Sequence, residues 1–107
     1  MNRGDVWQLD LGERAGRRPA VILTRQRVIP HLNKLTVAEI TPVGKGYPTE
    51  VPLGNKPNLP KQSFVALYNI QTVSKDRFVK YLGSLDADTM RSVGHKLILA
   101  LGLEDLM

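Results

Sequence analysis

Gly16-Arg17-Arg18-Pro19-Ala20-Val21-Ile22-Leu23 is the stretch on which the reading of this chain turns. From Ala20 to Thr24 the run is short and continuously apolar, the mark of a strand at the centre of a sheet. Pro19 fixes its own φ and pushes Arg18 into the extended region, so the arginine projects from the rigid start of that strand. A planar, permanently charged fork held in this way suits a phosphate. The same residues also read as a turn with two solvated arginines ahead of a buried strand, and charge beside a strand is common on protein surfaces.

Outward from this stretch, short strands recur between glycine and proline turns. Val6 to Leu11 alternates well enough to predict a first strand, and Gly12 to Arg17 is a polar loop. Arg25 to Lys34 is a basic connection containing Pro30 and His31, and Leu35 to Val43 predicts a third strand. Gly44-Lys45-Gly46-Tyr47-Pro48 is a turn. Glu50 to Leu53 predicts a short strand that Pro52 places at a sheet edge, followed by a long loop to Lys61. Ser63 to Tyr68 predicts another strand, which Ile70 to Val73 continues or re-pairs. Ser74 stands where it would cap a helical turn through Arg77, and Val79 to Leu82 returns as a strand.

The period then changes. Met90, Val93, Leu97, Ala100 and Leu101 fall at helical spacing, with Asp86 and Asp88 in the first turn and Gly102 where a C′ glycine belongs. About six short strands and one C-terminal helix predict a mainly β chain built as a small barrel. With 107 residues, one domain over 1–107 is the expectation.

Cysteine is absent, which removes disulfides, thiolate catalysis and cysteine-ligated metals. His31 and His95, without a suitably spaced carboxylate partner, do not make a metal site, and no phosphate-binding glycine loop is present. There is no run of 18 apolar residues and no signal-peptide core, so the reading expects a cytoplasmic protein with no membrane segment. The net charge of +5 lies wholly in the first part of the chain. Met1 to Lys61 carries 10 Lys and Arg against 5 Asp and Glu, whereas Gln62 to Met107 carries 5 of each. Such placement suits a polyanionic partner such as nucleic acid, although basic loops also serve simply to solvate a basic protein.

Four segments follow in an order that resembles the MazF/PemK family of toxin endoribonucleases from toxin–antitoxin operons. They are Arg3-Gly4-Asp5-Val6-Trp7, the Gly16 to Leu23 stretch, Val37-Ala38-Glu39-Ile40-Thr41, and the helix end Ala100-Leu101-Gly102-Leu103. The resemblance implies an SH3-like β-barrel with short helices and a C-terminal α-helix, a homodimer, and a site in grooves near the dimer interface. It implies metal-independent and cofactor-free cleavage of single-stranded RNA at short sequence motifs. It also implies a cognate antitoxin whose acidic, disordered tail occupies the RNA groove. By motif, Arg18 matches the family's catalytic arginine and Thr41 its catalytic threonine. Two departures stand out: the segment that often reads Arg-Thr-Ile-Asp is Gln71-Thr72-Val73-Ser74 here, and the usual small residue two before the threonine is Glu39.

RNA is cut without metal when its 2′-hydroxyl attacks the neighbouring phosphate. Arg18 suits stabilisation of charge on the non-bridging oxygens, and Thr41 suits a hydrogen bond to the phosphate or to a water. A general base should titrate near neutral pH, which suits His31 if its loop reaches the groove. Glu39 shares strand parity with Thr41, so it either serves as base or orients Arg18 through an ion pair. Arg14, Arg17, Arg25, Lys34 and Lys45 are candidates to line an RNA groove. Trp7 is expected to pack in the barrel or dimer rather than to stack on a base. Two other classes compete: a non-catalytic toxin that binds DNA gyrase, as related CcdB-like barrels do, and a nucleic-acid-binding barrel without activity. Arg18 with Thr41 favours the nuclease, since neither alternative needs that pair.

Overall fold

The computed structural model describes residues 1–107. Six strands form one antiparallel sheet: β1 (Asp5–Asp10), β2 (Arg17–Ile22), β3 (Lys34–Thr41), β4 (Glu50–Gly54), β5 (Ser63–Ser74) and β6 (Phe78–Ser84). Their order across the sheet is β4-β5-β3-β2-β1-β6, so the stretch read first lies at the centre and the Pro52 strand at one edge, both as expected. The edge strands β4 and β6 share no backbone ladder. Instead the loop after β4 reaches the far edge. The Asn58 side-chain amide donates to the Leu82 carbonyl at 2.6 Å, and Pro57 packs so tightly on Gly83 that a Cβ there would lie 2.5 Å from it. The coiled sheet is thus barrel-like, with its seam bridged by a loop.

Alternation sorts the apolar side chains to two faces. On one face Val6, Val21, Leu23, Ala38, Ile40, Val51, Leu59, Val65 and Leu67 enclose a core that Val93 of the helix α1 (Ala87–Leu101) completes. On the other, Leu9, Ala20, Ile22, Leu35, Val37, Val73 and Phe78 pack beneath Ile29, which comes from a 3-10 turn, Gln26–His31, inside the segment read as a connection. Trp7 packs edge-on against Phe78 at 6.0 Å and tilted against Tyr81 at 5.7 Å.

β5 is a single strand of 12 residues, so Ile70 to Val73 continues the earlier run rather than opening a new element. Its pairing with β3 shifts between Ala38 and Ile40, which is how one strand serves two registers. β2 begins earlier than expected, with Arg17 to Pro19 inside the strand and paired to β1. Proline is tolerated there because the β2–β3 pairing ends at Ala20↔Glu39, leaving β2 locally an edge at Pro19. Ser74 precedes a 3-10 turn, Lys75–Arg77, but its hydroxyl makes no capping bond. Leu101, assigned by spacing to the apolar helix face, is exposed.

Helix α1 is delimited as its sequence predicts. Asp86 is the N-cap and accepts from the Thr89 N–H at 2.7 Å, and Gly102 turns the chain left-handed at φ +62°. The Thr89 backbone N–H holds the Asp86 carboxyl below the ordinary aspartate range. A pKa lower in the folded than in the unfolded state stabilises above the unfolded value and is lost as pH falls through the folded one. Asp86→Ala should therefore lower the melting temperature at pH 7, and the gap to the parent should narrow as melts are repeated toward about pH 2–3.

Candidate active site

Arg18 is the second residue of β2 and shares its face with Ala20 and Ile22. Glu39 pairs with Ala20 across β2–β3, and Thr41 lies two residues further along the same face at the end of β3. Continuing the register past its last pair sets Arg18 level with Thr41, where the two strands have begun to part. The arginine side chain is 51% exposed, yet one edge of it is held. Its Nε donates to the Ala15 carbonyl at 3.0 Å and stands 3.8 Å from Glu39 Oε1. The carbonyl is turned toward it by the β1–β2 loop, where Gly16 adopts φ +70°, a conformation that a Cβ would strain.

Glu39 is itself clamped. Its side chain is only 14% exposed, and Oε2 accepts from Gln71 Nε2 of β5 at 3.0 Å. Arg18, Glu39 and Gln71 thus form a row across three adjacent strands, ending in the two Nη groups of Arg18, which have no partner within the chain. Both departures from the expected motif belong to this row, and they contact each other. Thr41 Oγ1 accepts from the Val43 N–H at 3.1 Å, which ties the hydroxyl to the turn that follows.

Beside Arg18 opens a cavity of about 320 Å³ whose charged lining is Arg17, Arg18 and Lys61, with Gln8 and Ser63 among its polar groups and no carboxylate. Such a lining suits an anion. Arg14 lies in the exposed β1–β2 loop at this same end of the sheet, and Lys45 in the loop that leaves Thr41. Lys61 was missed as a site residue: it sits in the long loop before β5, and nothing in its neighbours marks it as returning to β2.

Three expected residues are not at this end. β2 carries the chain away from Arg18, and the 3-10 turn holding His31 follows its far end. β3 then returns over eight residues, roughly 23 Å of strand. Within the subunit, His31, Arg25 and Lys34 therefore stand at the opposite end of the sheet from Arg18 and Thr41. His95, on α1, belongs to the core-covering helix. The expectation that His31 reaches the groove is thus not met within one subunit, where a six-residue strand lies between the arginine and the loop. No three His, Asp or Glu side chains are grouped as ligands for a metal ion.

The chain matches, over residues 2–101, the family model described as PemK-like, MazF-like toxin of type II toxin-antitoxin system. It is 39% identical over 93 residues to the probable endoribonuclease MazF5 of Mycobacterium tuberculosis, covering 85% of this chain and 84% of that protein. Among solved structures it resembles an endoribonuclease in complex with its cognate antitoxin from a mycobacterial species, with a TM-score of 0.85, 31% identity and 96% of each chain covered. It likewise resembles the Mycobacterium tuberculosis toxin MazF-mt6, with a TM-score of 0.84, 32% identity and coverage of 92% and 96%.

Proposed function

We infer, from the premise that this chain belongs to the PemK-like, MazF-like toxin family of type II toxin–antitoxin systems, that it is an endoribonuclease toxin cutting single-stranded RNA at the Arg18 end of its sheet. The observation that carries the placement is the free pair of Nη groups on Arg18, aimed from a strand whose other contacts hold only Nε. In the reaction the 2′-oxygen attacks the adjacent phosphorus, the P–O5′ bond breaks, and the 2′ proton passes to a base while the 5′-oxygen gains one. Arg18 holds two non-bridging oxygens as negative charge gathers on them. Thr41, with its Oγ1 fixed by Val43, offers its hydroxyl to the same phosphate. Glu39 acts as a positioning residue: one oxygen faces Arg18 and the other is bound by Gln71, so its role is to aim the arginine rather than to move the proton. Arg14, Arg17, Lys45 and Lys61 supply sequence-independent attraction for the strand on either side.

Cleavage at short sequence motifs, inhibition of translation and growth, independence from metal, a homodimeric state and neutralisation by an antitoxin with an acidic, disordered tail belong to the same reading. The basic cavity suits such a tail as well as it suits RNA, so the antitoxin would act by occupying it. The test is to incubate the purified protein with a long single-stranded RNA in excess EDTA and map the cut ends. Discrete cuts that survive the chelator are expected. Bound but uncut RNA would favour a non-catalytic barrel, and absence of both binding and cutting would favour a toxin directed at a protein target.

A further inference from the structure

We propose that Tyr47, backed by Tyr68 and Lys45, is a stacking ledge for the nucleobase next to the scissile phosphate, a proposal that rests on the RNA-cleaving reading above. Val65 and Leu67 point into the helix-covered core, so Tyr68 points to the opposite face of β5, the face that carries Arg18, Glu39 and Thr41. Along β5, Tyr68 lies between Val65, paired with Ile40, and Ile70, paired with Ala38, in the irregular stretch of the ladder that passes Glu39. β5 is two strands from β2, which puts the ledge roughly 10 Å to the side of the arginine strand. That separation is on the scale of one nucleotide rather than of a remote site.

The ledge is exposed and yet built. Tyr47 and Tyr68 are 49% and 39% exposed, with ring centroids 5.1 Å apart and planes at 77°. Lys45 Nζ lies over the Tyr68 ring at 5.8 Å and takes part in neither of the chain's two ion pairs. One carboxylate ties the loop that carries Lys45 and Tyr47 to Tyr68. Glu50 accepts from the backbone N–H of Lys45 at 2.9 Å, that of Gly46 at 3.0 Å and the Tyr68 hydroxyl at 3.0 Å. The Lys45 N–H above all holds the Glu50 carboxyl below its ordinary range, while burial and then Glu50 hold the Tyr68 phenol above its own, so the pair stays acceptor and donor around neutral pH. Behind the loop, Gly44 presses on Phe64 so closely that a Cβ would lie 2.8 Å from the ring. A loop fixed this firmly with one aromatic half in solvent and an uncommitted ammonium beside it has the composition of a single-strand binding platform: π-surface for a base and a cation for the adjoining phosphate.

The test uses the intact protein and an RNA oligonucleotide spanning a mapped cut site, made uncleavable by 2′-deoxy substitution there, with a single abasic residue at each position in turn. Binding is read by fluorescence anisotropy. One abasic position beside the cut should weaken binding to the parent protein about 5- to 100-fold. Tyr47→Ala should show that same loss with the intact oligonucleotide and no further loss at that position, whereas Tyr47→Phe should bind as the parent does. Parental affinity in Tyr47→Ala, or a full abasic penalty persisting in it at every position, would overturn the proposal. A protein that cuts RNA but ignores Tyr47 removes only the ledge. A protein that cuts no RNA yields no cut site to map and removes the nuclease reading, and the ledge with it, before Tyr47 is tested.

Discussion

Arg18→Lys and Arg18→Ala should each slow RNA cleavage roughly 100-fold or more at saturating substrate. Lysine keeps the charge but not the planar fork, so it should rescue little if two phosphate oxygens are held together in the transition state. Affinity should fall far less, because Arg14, Arg17, Lys45 and Lys61 share ground-state binding. Stability should change by about 1 kcal/mol or less, since the side chain is half exposed and its contact with Glu39 is a long one. Arg17→Ala is the control: it removes the same charge one residue earlier, where the side chain faces the opposite side of β2. It should weaken binding modestly and spare the chemical step. Single-turnover rates with melting curves for the three variants decide the matter, and equal losses at Arg17 and Arg18 would reduce the pair to a generic basic patch.

The second large effect concerns the substrate. A single 2′-deoxy residue on the 5′ side of the scissile phosphate should abolish cleavage at that phosphate, because the nucleophile itself is gone. The rest of the strand should still bind, as the phosphates that meet the cations are unchanged. Products from unmodified RNA should carry a 5′-hydroxyl and a 2′,3′-cyclic phosphate, or the 3′-phosphate derived from it. In the proposed site Arg18 and Thr41 bind the phosphate, and this chemistry asks of the protein mainly that such groups be fixed in place. Cutting of the deoxy substrate, or 5′-phosphate products, would require an attacking water and a different account of the site.

Local signals carried much of this fold. The centre strand, the Pro52 edge strand and the helix between Asp86 and Gly102 follow from periodicity and end residues, because each is decided by its own neighbours in sequence. Pro19 inside β2 was not legible, since whether proline is tolerated depended on where β3 stops pairing. The same holds for the site. Arg18 and Thr41 were readable as a motif, but the Gln71–Glu39 bond joins residues 32 apart through a shifted register, and Lys61 returns through a loop with no periodic signal. The distance of His31 from Arg18 within the subunit was legible from strand length alone, since the two stand at opposite ends of β2.

The central claim, that RNA is bound for cleavage at the end of the sheet where β2 begins and β3 ends, is tested most directly by amide and side-chain NMR spectra of the protein titrated with the uncleavable deoxy-substituted oligonucleotide. Shifts should concentrate on Arg17, Arg18, Glu39, Thr41, Lys61 and the Gln71 side-chain amide. Shifts concentrated instead on Arg25, His31 and Lys34, with the Arg18 end unmoved, would contradict it.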